Sequence, residues 1–533
     1  MGMFKRESSD EVAKKVLRAF IGGSIKRSST RSGTLRLHVV GPEAAVAHTL
    51  LVVCCRVHDA LDSLSTASER AAANRDISAF ITRLGYVRDP ATTSERAQDE
   101  EQEALLMLYT DCRRAFYKLE SIKVLLSTMV LRLAMHVLKR VGGGASVLGG
   151  KKRVHARRNF IQSCVAFAHI TIPSIEAPLE KLQLMVSAAN VALVTSCIPQ
   201  MDALVKAAIV LLAELDVAAL QAADEGSDAA ASHRSSRTVA VGLFGAVGVC
   251  STSTVTDRVV QVVAQLLSVL VYAPSLNDED AFYFVTALRK AVLERLAWVP
   301  SGSSSASQRL EAGVARVRIL LLLAQLYALW GQKTLPDRLD GVDSNDVLYG
   351  GDDLFWNEVQ ARFSSTVEDV AREIEALGDA GENSEDAGDS AAERLVAAQI
   401  ELMLDLVNLV VPVLEYDEAQ ALTATDSFRA EELGAGRSGG RRRKKPRSGA
   451  ALVRKCMAYS HDKAQSLRQT KPQDASTRQV QMATWTCRYF DSTRAYVAEF
   501  LQSMCKRAAG ARMDADSQHA VQALAEALAT LQL

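Results

Sequence analysis

Aromatic residues are scarce in this chain, making up 5% of 533 residues against 48% hydrophobic residues overall. A core short of rings is filled by Ala, Leu and Val, the composition of stacked helices. Proline is sparse too, at 11 residues. Most of them (Pro90, Pro173, Pro274, Pro300 and Pro336) fall between helical patterns, where a missing N–H costs least. Neither sign of charge is in excess: Lys+Arg and Asp+Glu are both 62, and the formal net charge is zero. That balance argues against a protein built around DNA or RNA, which carries a basic excess or stripe. There is no C-x-x-C. The nine cysteines (Cys54, Cys55, Cys112, Cys164, Cys197, Cys250, Cys456, Cys487 and Cys505) are odd in number and scattered through apolar stretches. They are expected to be reduced, mostly buried thiols of a cytosolic protein. The segment Met1–Asp10 leads into no apolar h-region, so no signal peptide is expected. Unbroken apolar runs such as Ile319–Leu323 fall far short of the roughly 20 residues that span a bilayer. Membrane association is therefore expected to be peripheral, through partners.

Catalytic and metal-binding signatures are missing as well, and no cofactor or metal is expected. Gly142–Lys152 resembles a phosphate loop only at first sight. Ala145 stands where the first Gly is needed, Lys152 stands where a Mg²⁺-binding Ser or Thr is needed, and the segment follows a helix, not a strand. It reads as a joint. The nine histidines form no H-x-x-x-H or H-E-x-x-H pair; His58 and His169, on or near apolar helix stretches, read as structural. No G-x-S-x-G elbow is present.

What the chain does contain is helix after helix. Val46, Leu50, Val53, Val57, Leu61 and Leu64 keep one helical face. Helices are expected over Ser68–Leu84, Ala104–Glu120, Ile122–Val141, Asn159–Ile170, Ser174–Val194 and Gln200–Ala223, with the polar Ser94–Glu103 outside them. Asp257–Tyr272 follows. The next helix is expected to start at an Asn277 cap, with Asp278, Glu279 and Asp280 in its first turn and Ala281, Val285, Leu288, Val292 and Leu296 along one face. Gln308–Trp330, Leu354–Leu377, Ala392–Tyr416, Ala450–Gln469, Gln479–Met504 and Ser517–Leu531 complete the series. No alternating stretch supports a sheet. The expected fold is all-α: an α-solenoid of HEAT-like antiparallel helix pairs over 43–533, after a poorly ordered segment at 1–42. Polar, flexible insertions are expected near 222–237, 378–390 (acidic) and 434–449 (basic). The basic cluster Arg437, Arg441, Arg442, Arg443, Lys444, Lys445 and Arg447 reads as a solvated loop. Its alternative is a nuclear-localisation or anionic-lipid patch, which would suit an unrelated solenoid adaptor, for example in nuclear transport.

One loop is more specific than the helices around it. Asp343-Ser-Asn-Asp-Val-Leu-Tyr-Gly-Gly-Asp352 has the composition of a shaped turn. Its Asp and Asn side chains can bond nearby backbone, Gly350 and Gly351 can supply positive φ, and Val347, Leu348 and Tyr349 can dock it. A calcium loop is excluded, because Val347 and Leu354 stand where oxygen ligands belong. The candidate site residues are Asp343, Asn345, Asp346, Leu348, Tyr349, Gly350, Gly351 and Asp352. Their role is expected to be architecture or partner recognition.

At Val342–Asp352 the chain resembles the family of vacuolar protein sorting-associated protein 35-like, the large solenoid subunit of the retriever (Commander) complex and a paralogue of the retromer large subunit. Asn159–Ser174, Pro199–Ile209, Val57–Leu64 with Glu69-Arg70, and Phe282–Trp298 are similar to further family segments in the same order. The resemblance implies a non-enzymatic scaffold of an endosomal recycling coat, cytoplasmic and peripheral on endosomes. It implies a small metallophosphoesterase-fold partner (vacuolar protein sorting-associated protein 29) on the carboxy-terminal half of the solenoid, which is the half these matches fall on. It also implies an arrestin-fold subunit on the amino-terminal half, coiled-coil and COMM-domain proteins, and a sorting nexin that reads cargo. Nucleic acid is not among the expected partners.

Overall fold

The computed structural model describes residues 6–22, 26–28, 36–38, 44–59, 66–84, 95–142, 151–222, 254–275, 280–296, 298, 306–332, 335, 338–339, 341–382, 389–413, 449–469 and 477–509. The principal helices are α1 (Arg6–Gly22), α2 (Ala44–Asp59), α3 (Ala67–Leu84), α4 (Glu95–Ala115), α5 (Glu120–Gly142), α6 (Lys151–Thr171), α7 (Pro178–Val194) and α8 (Ile198–Ala213). They continue with α9 (Val255–Tyr272), α10 (Tyr283–Lys290), α11 (Ala306–Trp330), the single turn α12 (Asn345–Leu348), α13 (Asp353–Glu382), α14 (Asp389–Val410), α15 (Gly449–Gln469) and α16 (Thr477–Ala509). A short antiparallel hairpin, β1 (Lys26–Ser28) with β2 (Arg36–His38), is the sheet structure among the described residues.

These helices form a two-layer α-solenoid. In the first layer α1, α3, α5, α7, α9, α11, α14 and α16 each pack on the next. The second layer is α2, α4, α6, α8 and α10, followed by α13 and α15, each laid against first-layer neighbours or linked to the next by side chains. Between α10 and α13 the link is polar: Arg289 pairs with Asp369, and Arg362 donates to Thr286 Oγ1 at 2.9 Å. A first-layer helix is thus covered on both flanks and on one face, and its sequence follows. Among the described residues four helices are long and apolar enough to cross a membrane by length and composition: Glu120–Arg140, Val255–Tyr272, Gln308–Trp330 and Glu393–Val413. All four lie in the first layer, and half or more of each is buried inside the protein. The search for unbroken apolar runs missed them, because isolated polar residues interrupt a run without much lowering the mean hydropathy of a window.

Local chemistry sets the helix ends. Thr66 and Glu69 form a capping box ahead of α3, with Thr66 N donating to Glu69 Oε2 at 2.8 Å. Thr254 and Asp257 do the same for α9. The start of α7 has no cap of its own side chain. Instead Glu120, at the start of α5, accepts the backbone N–H groups of Glu176 and Ala177. Burial works to raise the Glu120 pKa, but Lys123 and these two amides outweigh it and hold the carboxyl below its ordinary value.

The structure departs from the sequence expectations in several places. Where a poorly ordered segment is expected at 1–42, α1 forms and buries Ala13 and Leu17 on a helix packed on α2 and α3. The polar stretch Ser94–Glu103 is helical from Glu95 onward. Gln98 and Gln102 are buried, and Asp99 receives Arg157 at 3.1 Å and Arg140 at 3.2 Å. Asp99 faces the protein there because its partners lie on α5 and α6. The helix expected from Asn277 begins at Tyr283 and ends in a π-helical turn, Ala291–Arg295. Asp280 accepts the N–H of Phe282 at 2.7 Å and so holds the chain in a turn just before the helix. Its apolar face is as expected, with Val285, Leu288, Val292 and Leu296 buried. The acidic insertion at 378–390 is narrower than expected, since α13 continues to Glu382 and α14 begins at Asp389. The insertions near 222–237 and 434–449 and the helix expected at Ser517–Leu531 lie essentially outside the described residues, as does the 143–150 part of the joint.

Candidate interaction loop

The signature loop joins α11 to α13 and is tied down by long-range hydrogen bonds. Asn345 is 3% exposed. Its Oδ1 accepts the N–H of Ser275 at 2.8 Å, and its Nδ2 donates to the carbonyl of Ala281 at 3.2 Å. One amide side chain thus replaces two missing backbone partners in the segment between α9 and α10, where the penalty for leaving polar groups unpaired is highest. The Tyr349 hydroxyl donates to the carbonyl of Ser275 at 3.3 Å, so Ser275 is gripped from both ends of α12. Ser344 Oγ donates to Asp346, and Asp352 Oδ1 accepts the N–H of Leu354 at 2.9 Å at the start of α13. Asp343 is exposed.

Below these bonds lies a cluster of rings, notable in a chain with few aromatics. Phe282 and Phe355 stack at 5.3 Å, and Tyr349 stacks on Phe355 at 6.0 Å. Trp330 meets Phe282 edge-on at 6.0 Å, and Trp356 meets Phe355 at 5.0 Å. The Arg362 guanidinium sits 4.4 Å over the Phe282 ring. Trp330 Nε1 donates to the carbonyl of Val271 and Trp356 Nε1 to that of Gly350, so both indole donors are satisfied. The loop is therefore joined to the end of α9, the start of α10, the end of α11 and the start of α13.

Two sequence expectations change. Among the described residues the glycine with positive φ is Gly341, at 74°; Gly350 and Gly351 do not use that region. Gly350 is needed for close approach instead: a Cβ there would lie 2.0 Å from the Asp346 carbonyl oxygen and 3.1 Å from Trp356. A Cβ on Gly351 would meet nothing within 4 Å. Of the three residues expected to dock the loop, Tyr349 does so. Val347 and Leu348 are 44% and 48% exposed and share the rim with Leu354, which is 73% exposed. Sequence reasoning missed Ser275, Ala281, Phe282 and Trp330 as partners of the loop. The similarity of Phe282–Trp298 to the family segment was the one signal pointing there.

The loop's one buried amide is spent on backbone, and no group of three His, Cys, Asp or Glu that could hold a metal occurs among the described residues. Burial raises the pKa of the thiols of Cys54, Cys112, Cys164 and Cys456, to about 12 in Cys112 and Cys456, and keeps them as poor nucleophiles. His58 packs edge-on to Phe116, as expected of a structural histidine, whereas His169 is exposed at the end of α6.

An all-α solenoid of paired helices, with one pinned loop and an exposed apolar rim, belongs to the class of helical-repeat proteins. Within that class the chain belongs to the VPS35L C-terminal domain family, whose model matches residues 1–230 and 250–407. It is 24% identical over 383 residues to a VPS35 endosomal protein sorting factor-like protein of Dictyostelium discoideum, covering 72% of this chain and 31% of that one. It is 25% identical over 380 residues to the VPS35 endosomal protein-sorting factor-like proteins of Mus musculus and Homo sapiens, covering 71% of this chain and 32% of each. The chain thus spans about a third of the length of these relatives. A solved circular tandem repeat protein covers 99% of the chain at 13% identity, with a TM-score of 0.40, too loose a likeness to argue from.

Proposed function

We propose that this chain is a non-enzymatic scaffold of a retriever-like endosomal recycling coat, acting from the cytoplasmic side of endosomes. Its membership of the VPS35L C-terminal domain family carries this reading. On it, the solenoid holds a small metallophosphoesterase-fold subunit and supports return of membrane-protein cargo to the cell surface. The contact includes the exposed apolar side chains of Val347 and Leu348 on the pinned loop and of Leu354 in the first turn of α13. A pre-ordered surface loses little entropy on binding, which favours a stable interface of ~1,200–2,000 Å². An arrestin-fold subunit, coiled-coil and COMM-domain proteins and a sorting nexin complete the proposed assembly.

Co-expression with a metallophosphoesterase-fold subunit of the vacuolar protein sorting-associated protein 29 type, followed by size-exclusion chromatography, tests the reading. A single co-eluting complex is expected, lost on Leu348→Asp with Leu354→Asp while helix content is kept. Separate elution of the two unaltered proteins would overturn it.

A further inference from the structure

A second surface lies elsewhere on the solenoid. Three consecutive first-layer helices, α9, α11 and α14, enclose an open cleft of about 1060 Å³. Its floor runs along α11 from Arg318 to Gln332, a rise of about 21 Å, or six to seven residues of extended chain. One end is polar. Asp257 on α9 faces Arg318 at 3.5 Å, and Asp405 and Asn408 line the opposite wall from α14. Glu401, one turn before Asp405, lies within electrostatic reach of both Arg318 and Asp405. Arg318, the one cation lining the cleft among the described residues, thus faces three carboxylates, although Asp405 also accepts the Tyr489 hydroxyl and Glu401 the Thr486 hydroxyl. Burial raises the pKa of both Glu401 and Asp405, a penalty on their charge that a further cation would relieve.

Hydrogen-bond acceptors are in surplus there as well. Asn408 Nδ2 donates to Tyr489 at 3.0 Å and Thr493 at 3.3 Å, while its buried Oδ1 has no partner. The Asn408 amide thus holds an acceptor atom at the cleft wall that the described residues do not match. The other end of the cleft is mostly apolar, lined by Leu329, Leu409, Pro412 and the 43%-exposed Val413 together with Gln332.

We propose that this cleft docks an extended segment of a partner protein that places a lysine or arginine side chain among Asp257, Asp405 and Asn408, in the field of Glu401. Apolar residues of the same segment then lie along Leu329, Leu409 and Val413. The cleft supplies acceptors and negative charge at one end and a hydrophobic channel at the other, and the segment supplies the complement of each. It is a surface distinct from the signature loop and does not depend on the small subunit proposed for it.

The test uses the full chain and a phage-displayed library of random dodecapeptides. The expected result is enrichment of peptides in which Lys or Arg precedes an apolar run. Their affinity is expected to fall about tenfold or more on Glu401→Gln combined with Asp405→Asn, the loss of a charge-assisted contact. It is also expected to fall on Ala264→Trp, which fills the cleft from the surface of α9, with circular dichroism showing the helices intact. A second filling variant, Gln325→Trp, serves if the first fails to fold. No enrichment, a consensus without a basic residue, or binding unchanged by a folded filling variant would each overturn the proposal.

Discussion

The signature loop and the α9–α11–α14 cleft use similar residue types to opposite ends. In the loop Asn345 spends both ends of its amide on backbone, Tyr349 and the indoles find carbonyls, and the rings close on one another. In the cleft the buried Asn408 oxygen has no donor among the described residues, and three carboxylates face one guanidinium with the Tyr489 and Thr486 hydroxyls beside it. The loop spends its buried polar groups on building itself, and what it offers outward is an apolar rim beside the exposed Asp343 and Asp352. The cleft still has acceptors to give.

The sharpest way to break the loop is through its rings. Phe355→Ala removes the side chain that touches Phe282, Tyr349, Trp330 and Trp356, and is expected to cost about 3–5 kcal/mol, read as a lower urea midpoint. Asn345→Ala leaves the Ser275 N–H and the Ala281 carbonyl without this side chain; a loss of about 1–3 kcal/mol is expected, with faster amide exchange at Ser275. The glycines sharpen the contrast within the loop. Gly350→Ala is expected to cost about 1–3 kcal/mol through the clash with Asp346, whereas Gly351→Ala is expected to be neutral or to gain up to about 1 kcal/mol by stiffening the unfolded chain. Equal thermal shifts for the two would refute the close-approach account.

The cleft gives the smallest effect and the opposite sign. Burial raises the Glu401 pKa above its unfolded value of 4.5. The folded state therefore favours the protonated form, and stability is lost as pH rises from the ordinary carboxylate range through the raised folded value. Glu401→Gln keeps an acceptor for Thr486 and removes the charge. It is expected to be at least as stable as the parent at pH 7 and to show a flatter pH dependence of the urea midpoint across that window. A steeper dependence would count against a carboxylate held at a desolvation cost.

Period and composition made the fold class legible, because a helix shows its buried stripe in its own letters. Val285, Leu288, Val292 and Leu296 were placed that way. What local letters hide is a partner far along the chain. The start of α10 lies later than the letters suggest because Asp280, expected in the first turn of the helix, instead accepts the Phe282 N–H in a turn before it. The polar half of α4 was missed because Asp99 is satisfied by Arg140 and Arg157. The site divides in the same way. The loop was visible as a run of turn residues, but Asn345 acts on residues 64 and 70 positions away. The cleft has no motif at all, since its lining comes from three helices that meet only in the folded array.

The four apolar first-layer helices have a consequence for how the chain must be made. Before its neighbours emerge, each is indistinguishable by hydropathy from a segment that translocation machinery inserts into a bilayer. At about 5–20 residues per second, Val255–Tyr272 waits several seconds for Gln308–Trp330 to cover it. A ribosome that stalls in that interval holds a would-be membrane protein. Nascent chains cut between α9 and α11 are thus expected to depend on chaperones that full-length chains outgrow, and synthesis order becomes part of the design of the array.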